Sequence, residues 1–269
     1  MSFVSIVSKS WKSFVGNKRL GLIAVAVDFV FVYAIVRLHY SVFSRASEHL
    51  ARLTQMIGEQ ARAVAEAETL QNISFGASQE FAAEYHLLLQ YIFLFLGGAA
   101  VAWLACKGIV WFLAHKTLGK KVSPADFALK FLGMSLLWIL ALVPVSIVVL
   151  KLVEGATSSI MPVMGLKAAN MTALLVYWAF AYFVFASYGS LPANVFRSTF
   201  VACAKAWRLL LPVHIIGAAV LFMAVAVPFA LMSYSPYCPL VFGIVVSLPA
   251  VAWTRVLWVA AVKKVVENE

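Results

Sequence analysis

Six stretches of this chain, roughly 20–39, 88–114, 125–150, 172–191, 209–232 and 239–262, are apolar over close to the ~20 residues that a helix needs to cross a bilayer. In lipid every backbone N–H and C=O must find its partner within the spanning structure, so each such run is expected to be an α-helix. Composition removes the alternative of one large soluble core. Of 269 residues, 64% are hydrophobic and 12% charged, against about 25% charged in a soluble domain. The expected fold is all-α: a polytopic six-helix transmembrane bundle over 20–269.

The cations between the runs alternate. Lys9, Lys12, Lys18 and Arg19 precede span one, and Lys116, Lys120 and Lys121 separate spans two and three. Arg197, Lys205 and Arg208 separate spans four and five, Lys263 and Lys264 follow span six, and the loop SYSPYCP (233–239) carries no charge. The positive-inside rule then places both termini in the cytoplasm of a multi-pass cell-membrane protein. Arg37, Arg45, Arg52 and Arg62 in the long loop after span one run against the pattern. The formal net charge of +10 is spread over span flanks rather than gathered in one patch, which argues against nucleic acid as partner. Cys106, Cys203 and Cys238 form no CxxC pair and no disulfide framework.

Residues 1–19 read as a cytoplasmic interfacial helix, with Phe3, Val7, Trp11 and Phe14 recurring at helical spacing opposite Ser8, Lys9 and Lys12. Lys9-Ser-Trp11-Lys12 before span one is echoed by Lys205-Ala-Trp207-Arg208 before span five, so Trp11 and Trp207 are expected to be interfacial anchors. Ser123-Pro124-Ala125-Asp126 should start span three, with serine as cap and proline in the first turn. Pro144, Pro228 and Pro249 should kink spans three, five and six.

The segment SKSWKSFVGNKRLGLIAVAV, together with the count of six helices, resembles the opening of prokaryotic, often archaeal, six-helix integral membrane proteins. These are similar in layout to the membrane domain of some glycerophosphodiester phosphodiesterases. The resemblance implies a helical bundle and no particular activity. The long segment 41–87 departs from that compact layout.

That segment is expected to be an extracytoplasmic helical hairpin between spans one and two. Its first arm, rich in helix formers, is expected to continue directly from span one, with Leu50, Ile57 and Val64 every seven residues and Leu53 and Ala61 beside them. NISFGAS, with Gly76, is the expected turn. The returning arm is too short to cover the whole stripe, which points to a protein partner or a second copy of the chain.

Asp28 stands in the middle of span one. It lies nine residues inward from Arg19. Lys107 lies nine before Lys116, Arg255 eight before Lys263 and Lys130 nine after Lys121. At 1.5 Å per residue all four sit ~12–14 Å above the cytoplasmic edge, with His214 slightly shallower. Intramembrane ionisable groups cost a few kcal/mol each and normally pair, so Asp28 should meet Arg255 or Lys107. Three readings of this layer remain open: a structural pair that fixes register, a cationic site for an anionic lipid headgroup or small anion, and lysines that snorkel to the interface. The first favours an accessory membrane protein without enzymatic activity, and the second a transporter or channel for a small anionic or lipid-like solute. The chain has no HExxH, GxSxG or P-loop, its five histidines lack metal-ligand spacing, and no cofactor is indicated. His115, beside Lys116, reads as interfacial.

Overall fold

The computed structural model describes residues 3–66, 79–119, 122–158, 165–191, 199, 203–204, 206–233, 235 and 237–267. Every regular element among them is helical. In chain order they are α1 (Phe3–Gly16), α2 (Lys18–Leu38), α3 (Ser44–Glu66), α4 (Gln79–Ala102), α5 (Gly108–Thr117), α6 (Pro124–Ser158), α7 (Leu166–Ser190), α8 (Trp207–Leu231), α9 (Cys238–Phe242) and α10 (Leu248–Glu267). Three five-residue π-helical segments, His39–Phe43, Trp103–Lys107 and Gly243–Ser247, join α2 to α3, α4 to α5 and α9 to α10.

Six helices are long and apolar enough to cross a membrane: Lys18–Arg62, Gln79–Thr117, Pro124–Ala156, Leu166–Ser190, Trp207–Leu231 and Cys238–Val265. The first two run 45 and 39 residues, or ~68 and ~59 Å at 1.5 Å per residue, about twice a hydrocarbon core of ~30 Å. Helix α2 thus continues into α3 with no loop between them. The expected turn NISFGAS with Gly76, the cations Lys120, Lys121, Arg197 and Lys205, and the side chain of Val64 lie outside the described residues.

Local chemistry explains the ends. Helix α5 stops where Leu118 N–H bonds His115 O at 3.2 Å and Gly119 N–H bonds Lys116 O at 3.0 Å. Gly119 takes φ +75°, a left-handed geometry that glycine adopts without steric cost. Helix α6 starts at Pro124, with Phe127 N–H bonding Ser123 O at 3.0 Å. Pro144 lies inside α6, and Pro212 and Pro228 inside α8. Pro249 lies two residues beyond the π-helical segment Gly243–Ser247, whose wider turn relaxes the ladder where proline cannot donate.

The chain divides into two compact units, residues 1–29 with 107–269, and residues 30–106. In the first, α10 is the central element, packing against α1, α5, α7 and α8. Val256, Leu257, Trp258, Val259, Ala261 and Val262 are all buried. In the second, α3 packs along α4. Ala46 and Leu53 are buried there. Glu84 receives His49 Nδ1 on one oxygen and Arg52 Nη1 on the other at 3.1 Å, and His49 stacks on Tyr91 with ring centroids 5.4 Å apart.

Candidate functional site

Helix α2 buries Gly21, Ala24 and Asp28 along one face. Small residues at the first two positions let neighbouring helices approach closely, as helices in lipid require. Ala24 packs with Val110 and Leu113 of α5 and Ala252 of α10. The next turn of each partner carries a charge. Lys107 precedes Val110 by three residues and Arg255 follows Ala252 by three, so the helix faces that meet at Ala24 also meet at Asp28.

There Arg255 grips the carboxylate with both ends of its guanidinium: Nη1 donates to Asp28 Oδ2, and Nη2 donates to Oδ1 at 3.0 Å. Lys107 Nζ donates to the same Oδ1 at 2.7 Å. The sequence left the choice between Arg255 and Lys107 open; both are partners. Asp28 is 1% exposed, Arg255 7% and Lys107 8%. A bidentate Arg–carboxylate pair with an added ammonium is among the stronger polar contacts a protein makes. It is also a cluster whose burial is costly unless every member is satisfied. Two cations face one carboxylate, so the formal charge of the cluster is +1 when all three are ionised. Three donors converge on the two oxygens of Asp28, an arrangement that clamps three segments, α2, α5 and α10, at one height.

The other two members of the expected layer are elsewhere. Lys130 bonds Asp126 at 3.1 Å, one turn back on its own helix, with both side chains well exposed. Helix α6 packs on α5 and α7, and Lys130 pairs there with Asp126 of its own helix. His214 is buried on α8, where its Nε2–H donates to the carbonyl of Trp178 at 3.0 Å. Rings of Trp178, Tyr182 and Trp258 surround it at centroid distances of 4.6, 5.4 and 5.7 Å. It is a helix-to-helix bond in an aromatic box, not part of the Asp28 cluster.

His115, expected to be interfacial, packs against other helices of the protein. It is fully buried, and its Nε2–H donates to Tyr188 O at 2.9 Å. Tyr188 OH in turn meets Ser135 Oγ at 3.0 Å, and Trp138 Nε1 donates to Ser187 Oγ at 2.8 Å. This polar seam along α5, α6 and α7 went unrecognised in the sequence, where its only signal is Ser-Tyr-Gly-Ser closing an aromatic span.

Trp11 and Trp207 are half exposed, at 53% and 51%, and Arg208 lies over the Trp207 ring at 5.6 Å. Helix α1 turns Ile6 and Ser10 toward the protein. Trp253 Nε1 donates to Ser10 Oγ at 3.2 Å, and Trp11 meets Trp253 edge-on. On α3, Leu53 is 5% exposed, while Leu50 and Ile57 are 54% and 44% exposed and Ala61 is exposed. The stripe is therefore covered along one edge and open along the other. No protein-family model, no curated protein and no solved structure matches this chain.

Proposed function

We propose that this chain is a multi-pass protein of the cell membrane, with both termini cytoplasmic and α3 with the start of α4 projecting outward as a helical hairpin. In this reading it catalyses no reaction and serves as a structural or accessory subunit, in a membrane complex or as a homo-oligomer. The observation that carries the reading is the open edge of α3: Leu50 and Ile57 stand exposed beside buried Leu53, on a helix whose polar faces are otherwise well solvated. The saturated Asp28 carboxylate supports it too, because a clamp among three helical segments is what a scaffold needs. The resemblance of residues 8–27 to prokaryotic six-helix membrane proteins belongs to the same reading. The test is Leu50→Glu with Ile57→Glu, charges placed on the exposed edge without touching Leu53. Native mass spectrometry of protein gently extracted from its own membrane should show a partner or a defined oligomer with the parent chain and its loss in the variant. An unchanged assembly mass refutes the role of this edge.

A second reading, carriage of a small anionic or lipid-like solute, is favoured by one observation. Lys107 ends a π-helical segment, a feature frequent at functional sites, and it brings a second cation to a carboxylate that Arg255 already pairs. Uptake lost in a well-folded Asp28→Asn variant would select this reading.

A further inference from the structure

Within the unit formed by residues 1–29 and 107–269, a cavity of about 110 Å³ opens where α1 meets the ends of α5 and α10. Three ammonium-bearing side chains line it: Lys9 from α1, and Lys263 and Lys264 from α10. Ser13 adds a hydroxyl, Thr117 lines the wall with its own hydroxyl donating to Leu113 O at 2.8 Å, and Ile6 contributes an apolar side. Among the described residues lining the cavity none is acidic. The docking of α1 holds Lys9 at this cavity: Ile6 and Ser10 are buried, Trp253 donates to Ser10, and Trp11 packs edge-on against Trp253. Helix α1 cannot swing its lysine away without breaking these contacts.

We propose that this cavity binds a phosphate group. Convergent lysines beside the Ser13 hydroxyl suit a compact multivalent oxyanion, for which lysine acts as a point charge. The volume is several times the ~10–15 Å³ that a single water needs, enough to admit a phosphate group. A phospholipid headgroup and a soluble phosphate share this chemistry. The inference is independent of any partner on α3, because it concerns a different unit.

The test uses the full chain in a non-ionic detergent, offered phosphatidylglycerol or phosphatidylcholine and read by native mass spectrometry. Parallel thermal melts contain inorganic phosphate or chloride at matched ionic strength. Retention of phosphatidylglycerol over phosphatidylcholine is expected, falling on the order of tenfold or more in Lys9→Gln/Lys264→Gln, since each lysine near anionic lipid contributes a several-fold effect. Lys12→Gln, which removes an equal charge from α1 outside the cavity, should retain the lipid. Lys9→Gln alone, at an exposed position, serves if the double variant does not fold. Lipid retention without a phosphate-dependent melt identifies a headgroup site. A phosphate-dependent melt that the variant abolishes identifies a soluble phosphate. Equal retention of the two lipids with no phosphate effect overturns the proposal, as does equal loss of the lipid in Lys12→Gln.

Discussion

Replacing Asp28 with asparagine is the sharpest probe of the buried cluster, because it changes charge and almost nothing in shape. The carboxylate accepts three hydrogen bonds, two from Arg255 and one from Lys107. Asparagine keeps one acceptor oxygen and turns an NH₂ toward a cation, so at least one bond is lost. Arg255 and Lys107, 7% and 8% exposed, lose the carboxylate charge they share. Removing one partner of a buried ion pair costs about 3–5 kcal/mol, and at about 2–4 °C per kcal/mol for a chain of this size the melting temperature should fall by roughly 6–20 °C. The assay is a thermal melt in a single detergent, followed by size-exclusion retention. A companion variant separates the cost of orphaned cations from the worth of the cluster: Asp28→Leu with Lys107→Met and Arg255→Met removes all charge at similar volume. Buried ion pairs replaced by apolar residues are often neutral or stabilising, so this triple variant should melt near the parent and above Asp28→Asn. A shift under about 2 °C for Asp28→Asn refutes the clamp. A triple variant as unstable as the single one shows that the loss did not come from stranded charge.

Two further substitutions test how the helices meet around α10. A Cβ added at Gly189 would lie 2.9 Å from Val262 Cγ2 and 3.5 Å from Trp258 O; because Val262 is 1% exposed and stiff, Gly189→Ala should destabilise by about 1–3 kcal/mol, and Gly189→Ala with Val262→Ala should recover most of it in the same melt. Trp253→Ala removes both the bond to Ser10 and the edge contact with Trp11, so amide hydrogen exchange over 3–16 should quicken by about tenfold or more while 166–190 is unchanged; equal exchange over 3–16 would mean that α1 is held by other contacts.

Much of this arrangement was readable before any coordinate. Counting residues from the flanking cations put Asp28, Lys107 and Arg255 at one depth, and the three side chains meet. The same count included Lys130, which bonds Asp126 instead. Depth fixes height along a helix and says nothing of azimuth, and α6 packs on α5 and α7 rather than on α2. His214 failed for a related reason: on an all-apolar helix no periodicity marks the inner face, and its partner is a backbone carbonyl that no sequence pattern announces. Helix α1 shows the opposite error. Its obvious apolar positions, Phe3, Val7, Trp11 and Phe14, define one face, yet the fully buried residues are Ile6 and Ser10. A serine on the docked face makes sense only once Trp253 is seen to donate to it. The heptad on α3 was legible as a stripe, but which edge α4 covers depended on His49, Arg52 and Glu84 finding one another across the pair.

Inside a bilayer, apolar burial does not choose a helix's neighbours, because lipid tails are as apolar as leucine. In the unit formed by 1–29 and 107–269 the choice falls to directional bonds and close approaches, and side-chain hydrogen bonds onto α7 and α10 supply them. Asp28 ties α2 to α10 and the start of α5; His115 ties α5 to α7 through Tyr188 O; Ser135 and Trp138 tie α6 to α7; His214 ties α8 to α7; Trp253 ties α1 to α10. A slip of one helix by a single turn would strand a buried donor or acceptor at each of these points, and each such loss costs about 1–3 kcal/mol. Register is thus specified by polar groups that contribute little net stability but exclude the alternatives. Helix α3 is built differently. Its contacts to α4 include charged groups suited to water, and its exposed leucine and isoleucine carry no directional bond at all. That contrast makes the edge of Leu50 and Ile57 the place where this protein's own packing rules are suspended, and so the place to look for whatever completes them.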